Sequence, residues 1–245
     1  MDRLTDPTLK VIRAKEHLDA LEAAMFTFYL ERPPAVVVEQ SADGALNIIR
    51  ARISPPPLRL GVLAGDAISS LREALDHLAW QLARLTQEPP FERTEFPIFP
   101  VQTDDAERRF GVVTQHVPQA AVEAMKLLQP YCRGEDYKSD PLWQIDKIWN
   151  VSKHQVIPAN SHVLEFRGRG LGEFREFRQA NVDEYIAVFA RDPDASVEIH
   201  PEAVPTVTFG SSRHDVTLSF AQLRELHRYV AESVFPKFYG LLRSS

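Results

Sequence analysis

The chain has 245 residues, 44% of them hydrophobic, and a formal net charge of -6. That size and apolar content support one substantial core and exclude a disordered chain, while the acidic balance excludes a general polyanion binder, so any contact with nucleic acid needs a local basic patch. Cys132 is the single cysteine, which excludes an intrachain disulfide and a multi-cysteine zinc cage. The first thirty residues interleave Asp2, Asp6, Glu16 and Asp19 with basic residues and hold no uninterrupted apolar run. Neither a signal peptide nor a membrane span is therefore expected, and the chain reads as cytoplasmic.

In chain order, Asp6-Pro7 is expected to cap a helix over about 7 to 30, with Leu18, Leu21, Met25 and Phe28 recurring at spacings of three and four. Pro33-Pro34 ends it. "AVVVEQ" and "LNIIRARI" flank Asp43-Gly44, a dipeptide suited to a tight turn, so 35 to 53 reads as a hairpin. After "SPPPL" a second helix is expected over about 61 to 86, its core arc formed by Leu71, Ala74, Leu75, Leu78, Ala79, Leu82 and Leu85. "EPPFERTEFPIFP" reads as an extended strap over the core. Pro118 opens a short helix to about 129, and Asp140-Pro141 starts another reaching about 154.

After residue 160 the short runs "HVLEF", "EYIAVFA", "SVEIH", "TVTF" and "DVTLSF" read as antiparallel strands. Ser219 then caps a last helix that Pro236 kinks or ends. The expected class is α+β in a single domain spanning 1 to 245. A bundle-like helical core with an N-terminal hairpin fills about 1 to 158. A small antiparallel sheet and a long final helix fill about 159 to 245.

Two constellations carry chemistry. On the second helix, "LREALDHLAWQLARL" sets Arg72, Glu73, Asp76, His77 and Trp80 on the side turned from the core arc, with Trp80 centred opposite it. An indole left in water forgoes roughly 2 kcal/mol of burial, so this face is expected to be covered, either by another helix of the chain or by a second subunit in a homodimer. On the later helix, "DPLWQIDKIWNVSKHQVI" aligns Asp146, Asn150, Lys153 and His154 beside the apolar arc of Leu142, Ile145 and Trp149. Such a stripe serves either as a hydrogen-bonded network pinning the helix or as a site lining, with His154 positioned by Asp146 or Asn150 and Lys153 holding an anion.

Arg72 and His77 form an Arg-x4-His pair, which resembles the HEPN group of bacterial helical domains, where such a pair lies at a dimer cleft and cleaves RNA without metal. The resemblance implies His77 as general acid or base and Arg72 as the stabiliser of phosphorane charge. Glu73 stands where that group usually has asparagine, aspartate or histidine. A second pair of permitted spacing, Arg109 and His116, is present too, and Arg72 with Asp76 and Glu73 with His77 also satisfy plain i,i+4 pairing. The ordered set "GDAISSLREALDHLAW", "FPIF", "LQPY" and "DPLWQIDKIWNVSKHQ" is similar to a bacterial protein family sharing a GD-x4-LR-x-ALDHL helix, a FPI strap, a QPY turn and a DKHR-like element. This implies a shared fold over about 50 to 157. Here Ser152-Lys153-His154-Gln155 replaces the DKHR-like run.

The expected function is thus a HEPN-like, metal-independent endoribonuclease acting as a homodimer without cofactor. Its catalytic residues are Arg72, His77, Lys153 and His154, and Glu73, Asp76, Trp80, Asp146 and Asn150 contribute to binding. Two alternatives stand beside it: a non-catalytic dimeric interaction module, and a helical-bundle metal enzyme using His77, His154 and either His17 or His227. "RGRGLGEFREFR" carries Arg167, Arg169, Arg175 and Arg178 and reads as a solvated loop diluted by Glu173 and Glu176, or as a contact for single-stranded bases.

Overall fold

A computed structural model describes residues 3–167, 171–191, 202–211 and 216–243. Helix α1 (Thr5–Glu31) buries Val11, Ala14, Leu18, Leu21 and Phe28 along one stripe. Asp6 lies in its first turn, where it complements the helix dipole, and does not serve as the cap. The hairpin of β1 (Ala35–Gln40) and β2 (Leu46–Arg52) follows, closed by Gly44 at φ 68°. Helix α2 (Leu58–Ala83) starts directly after Pro57 and runs antiparallel to α1, with Asp6 near Gln81 and Lys10 paired with Glu73. Leu18, Leu21, Ile68, Leu71, Leu75 and Leu78, all at most 1% exposed, zip the two together.

The strap after α2 runs extended with Phe96 fully buried, and the Phe96 ring meets Phe238 edge to face at 6.4 Å. A helix not expected from the sequence, α3 (Asp104–Val113), comes next. Its signal was local: the Thr103 hydroxyl accepts from the Ala106 amide, and Asp104, Asp105 and Glu107 occupy the first turn. Helix α4 (Gln119–Leu127) and an irregular 3-10 segment (Pro130–Ser139) lead to α5 (Pro141–Ser152), capped by the Asp140 carboxylate accepting from the Leu142 amide. Helix α5 packs across α2.

The strands β3 (Ala159–Arg167), β4 (Phe174–Gln179), β5 (Glu184–Ala190), β6 (Glu202–Ser211) and β7 (Val216–Ser219) form two antiparallel groups. One sheet has the order β1-β2-β5-β4 and the other β3-β6-β7. The class is α+β. The hairpin is therefore not a free-standing appendage: β2 pairs with β5 along its whole length, from Leu46 opposite Ala190 to Arg52 opposite Glu184. Residues 174–178 of the segment expected to be loop, together with Gln179, form the edge strand β4 with every residue exposed, and Arg175 and Arg178 are paired with Glu173 and Glu176. The expected strand over 196–200, Arg169 and the side chain of Arg167 lie outside the described residues.

A capping box of Ser219 and Gln222 opens α6 (Phe220–Arg228). A π-helical stretch (Tyr229–Val234) then leads into α7 (Pro236–Arg243), with the Phe235 amide reaching back to the Val230 carbonyl at 3.1 Å. Pro236 brings no amide hydrogen, and the widened turn accommodates that loss without ending the helical run. Among the described residues, no helix is long and apolar enough to cross a membrane.

Candidate functional site

Arg72 is 4% exposed, which corrects its expected place on the water-facing side of α2. The apolar residues alone understate the buried arc. Helix α5 packs across that flank, and the buried arc widens to take in the guanidinium. A buried cation needs partners. Arg72 Nη1 donates to Asp76 Oδ1 at 2.6 Å, its Nε stands 3.6 Å from Asp146 Oδ1, and its guanidinium lies over the Trp149 ring at 5.2 Å. The Nε distance is an ion-pair separation but too long for a hydrogen bond, so this N–H is buried with no acceptor among the described residues.

The two carboxylates look outward from the seam between α2 and α5, with about 30% of the Asp76 side chain and 31% of Asp146 exposed. Asp76 Oδ1 also accepts from the Phe96 amide at 3.0 Å, which ties the strap to the site. Burial outweighs Arg72 and that amide and pushes the Asp76 carboxyl up to about 6, with the Glu95 charge adding to the rise. Asp146 is raised as well, chiefly by burial and against the pull of Arg72 and Lys153. Asn150 Nδ2 donates to Asp146 Oδ2 at 2.9 Å, Lys153 Nζ donates to Asn150 Oδ1 at 3.3 Å, and that ammonium sits 3.2 Å from the centre of the Trp149 ring.

The structure thus joins Arg72 and Asp76 from the first constellation to Asp146, Asn150 and Lys153 from the second. The two histidines make no bond to this cluster among the described residues. His77 lies about 140° around α2 from Arg72. It is half-buried, and His154 is exposed just past the end of α5. Among the described residues, neither imidazole has a hydrogen-bond or ion-pair partner. Glu73 pairs across helices with Lys10 and not with His77. Trp80 is half-buried.

The alternative metal set is not assembled among the described residues, where no group of three His, Cys, Asp or Glu side chains could hold an ion. His227 instead contacts the Val11 carbonyl at 3.2 Å, and burial lowers its pKa. Sequence reasoning missed Glu95 and the Phe96 amide as members of the site. No periodic pattern marks them, because they reach Asp76 only through the path of the strap. No family model, curated protein or solved structure matches the chain.

Proposed function

We propose that the chain is an acid–base catalyst working at the α2–α5 seam, with RNA as its substrate, since RNA carries beside each phosphate the 2′-hydroxyl that a carboxylate base can activate. The observation that supports this reading is a pair of solvent-reaching carboxylates converging on one buried guanidinium, with burial pushing the Asp76 carboxyl up to about 6. Ionised Asp76 takes the proton of the attacking 2′-hydroxyl. The new O–P bond forms, the P–O5′ bond breaks, and the leaving oxygen takes a proton from water at the mouth of the seam. Lys153, exposed on its stem beside Trp149, supplies the positive charge that meets the phosphate. Arg72 is a positioning residue: it is too buried to touch substrate and acts by holding Asp76 and Asp146. His77 and His154 have no part in this scheme.

The test is cleavage of a mixed RNA pool by wild type, Asp76→Asn, Lys153→Ala and His77→Ala. Wild type is expected to cleave at a rate rising through about pH 6. Asp76→Asn should slow it about 100-fold or more, and His77→Ala should leave it unchanged. Intact RNA with wild type, or equal rates for wild type and Asp76→Asn, overturns the reading. Loss of cleavage in His77→Ala alone returns the chemistry to the Arg72-x4-His77 motif.

A second reading, a homodimer joined through the Trp80 face, draws support from one observation. The indole is incompletely covered within the chain, and among the described residues its N–H has no acceptor.

A further inference from the structure

Apart from the seam, a cavity of about 310 Å³ opens between the strap, α3, α4 and the turn at Tyr131. Two sequence motifs build it: "FPIF", whose first residue ties the strap to Asp76, contributes Phe99 from its far end, and "LQPY" contributes Tyr131. They hold each other in place. The Phe99 amide donates to Gln129 Oε1 at 2.9 Å, the Gln129 amide nitrogen donates to the Pro97 and Met125 carbonyls at 2.8 and 3.0 Å, and the Tyr131 amide donates to the Phe99 carbonyl at 3.3 Å. The pocket is thus preformed by a clamped backbone.

Its wall is aromatic, with Phe99 and Phe110 tilted against each other at 6.3 Å, and Val122 adds aliphatic surface. Its polar groups are unevenly engaged. Glu107 already accepts from the Gln102 amide at 2.9 Å, and the Thr114 hydroxyl is given to the Phe110 carbonyl at 2.8 Å. The Lys126 ammonium lies 5.8 Å from the Phe110 ring centre, and among the described residues it has no carboxylate partner. The Tyr131 hydroxyl likewise has no partner there. Burial raises the Tyr131 pKa, so the phenol remains a donor. Gly111 lines the cavity from the exposed side of α3, and an added Cβ there would meet nothing within 4 Å.

We infer that this cavity binds a small aromatic carboxylate, its ring against Phe99 and Phe110 and its carboxylate at Lys126 and the Tyr131 hydroxyl. The volume sits at the lower end of small-molecule sites, which run from about 300 to 1,000 Å³, so one ring with a short chain fits and a nucleotide does not. An apolar wall edged by a cation and a hydroxyl donor that have no polar partner among the described residues matches that amphipathic chemistry.

Calorimetric titration with 3-phenylpropionate, and with neutral 3-phenylpropanol as comparator, tests the assignment. Wild type should bind the acid saturably at one site with an affinity of roughly millimolar or tighter. Lys126→Gln should weaken the acid about tenfold and leave the alcohol unchanged. Gly111→Leu should remove binding of both while the circular dichroism spectrum stays that of wild type. The absence of saturable binding to wild type overturns the inference, as does undiminished binding by Gly111→Leu or equal affinity of Lys126→Gln and wild type for the acid. If Gly111→Leu does not fold, the exposed Lys126 position decides the matter alone.

Discussion

Arg72 and Asp76 show how a helix can bury charge. The guanidinium is out of water, and its two carboxylate partners each keep about a third of their surface in contact with solvent. Removing either partner leaves the cation undercompensated, so neither Asp76 nor Asp146 is free to drift from it. The raised Asp76 pKa has a consequence for stability. Because the folded chain holds that proton more tightly than the unfolded chain, whose value is 3.8, this group's contribution is fully present below about pH 4 and is lost as pH rises through about 6. Asp76→Asn should therefore remove a downward slope of stability between pH 4 and 7 that wild type retains. Urea unfolding at successive pH values measures this, and parallel curves for the two proteins would contradict it. The amide can still accept from the Phe96 backbone, so the strap should remain attached in the variant.

At the scale of elements, α2 is the axis of the molecule, and its two early glycines meet different surroundings. A Cβ on Gly61 would stand 2.0 Å from the Ile157 carbonyl oxygen, which is backbone and cannot easily retreat. On Gly65 it would meet Ile157 and Ser152 side chains at 3.6 to 3.9 Å, ordinary van der Waals contact. Both glycines cost helix stability relative to alanine, by about 1 kcal/mol each. Gly65→Ala should thus raise stability by about 0.5 to 1 kcal/mol, whereas Gly61→Ala should lower it by about 1 to 3 kcal/mol as the segment after α5 is pushed away. Thermal unfolding of the two variants checks the opposite signs. The same close approach at Gly61 brings the chain after α5 against α2, on the side where the polar seam lies.

Across the whole molecule, long-range pairing interlocks the two halves of the chain. The N-terminal hairpin supplies β1 and β2 to a sheet completed by β5 and β4, and Phe96 of the strap packs on Phe238 of the last helix. Within one chain the Trp80 face is a narrow, partly covered strip between Asp76 and His77, with Glu73 exposed on it. If that strip joins two copies, wild type sediments as a dimer and Trp80→Asp as a monomer. Two monomeric species would rule out the shared face while leaving the seam chemistry intact.

Periodicity and punctuation alone determined the helices α1, α2 and α5, the Asp43-Gly44 turn, the Ser219 cap and the α+β class. Each depends on interactions within a few residues of chain. Local signals for α3 are present too, in Thr103 and the acidic turn after it. The pairing of Asp146, Asn150 and Lys153 was likewise legible, because one helix face places them in reach of each other. Tertiary structure decided the rest. Whether Arg72 faced water depended on where α5 crossed α2, and whether Glu95 and the Phe96 amide reached Asp76 depended on the route of the strap. The exposed run at 174–179 became a strand because β5 offered it a hydrogen-bonding edge, a partner no local pattern of alternation reveals.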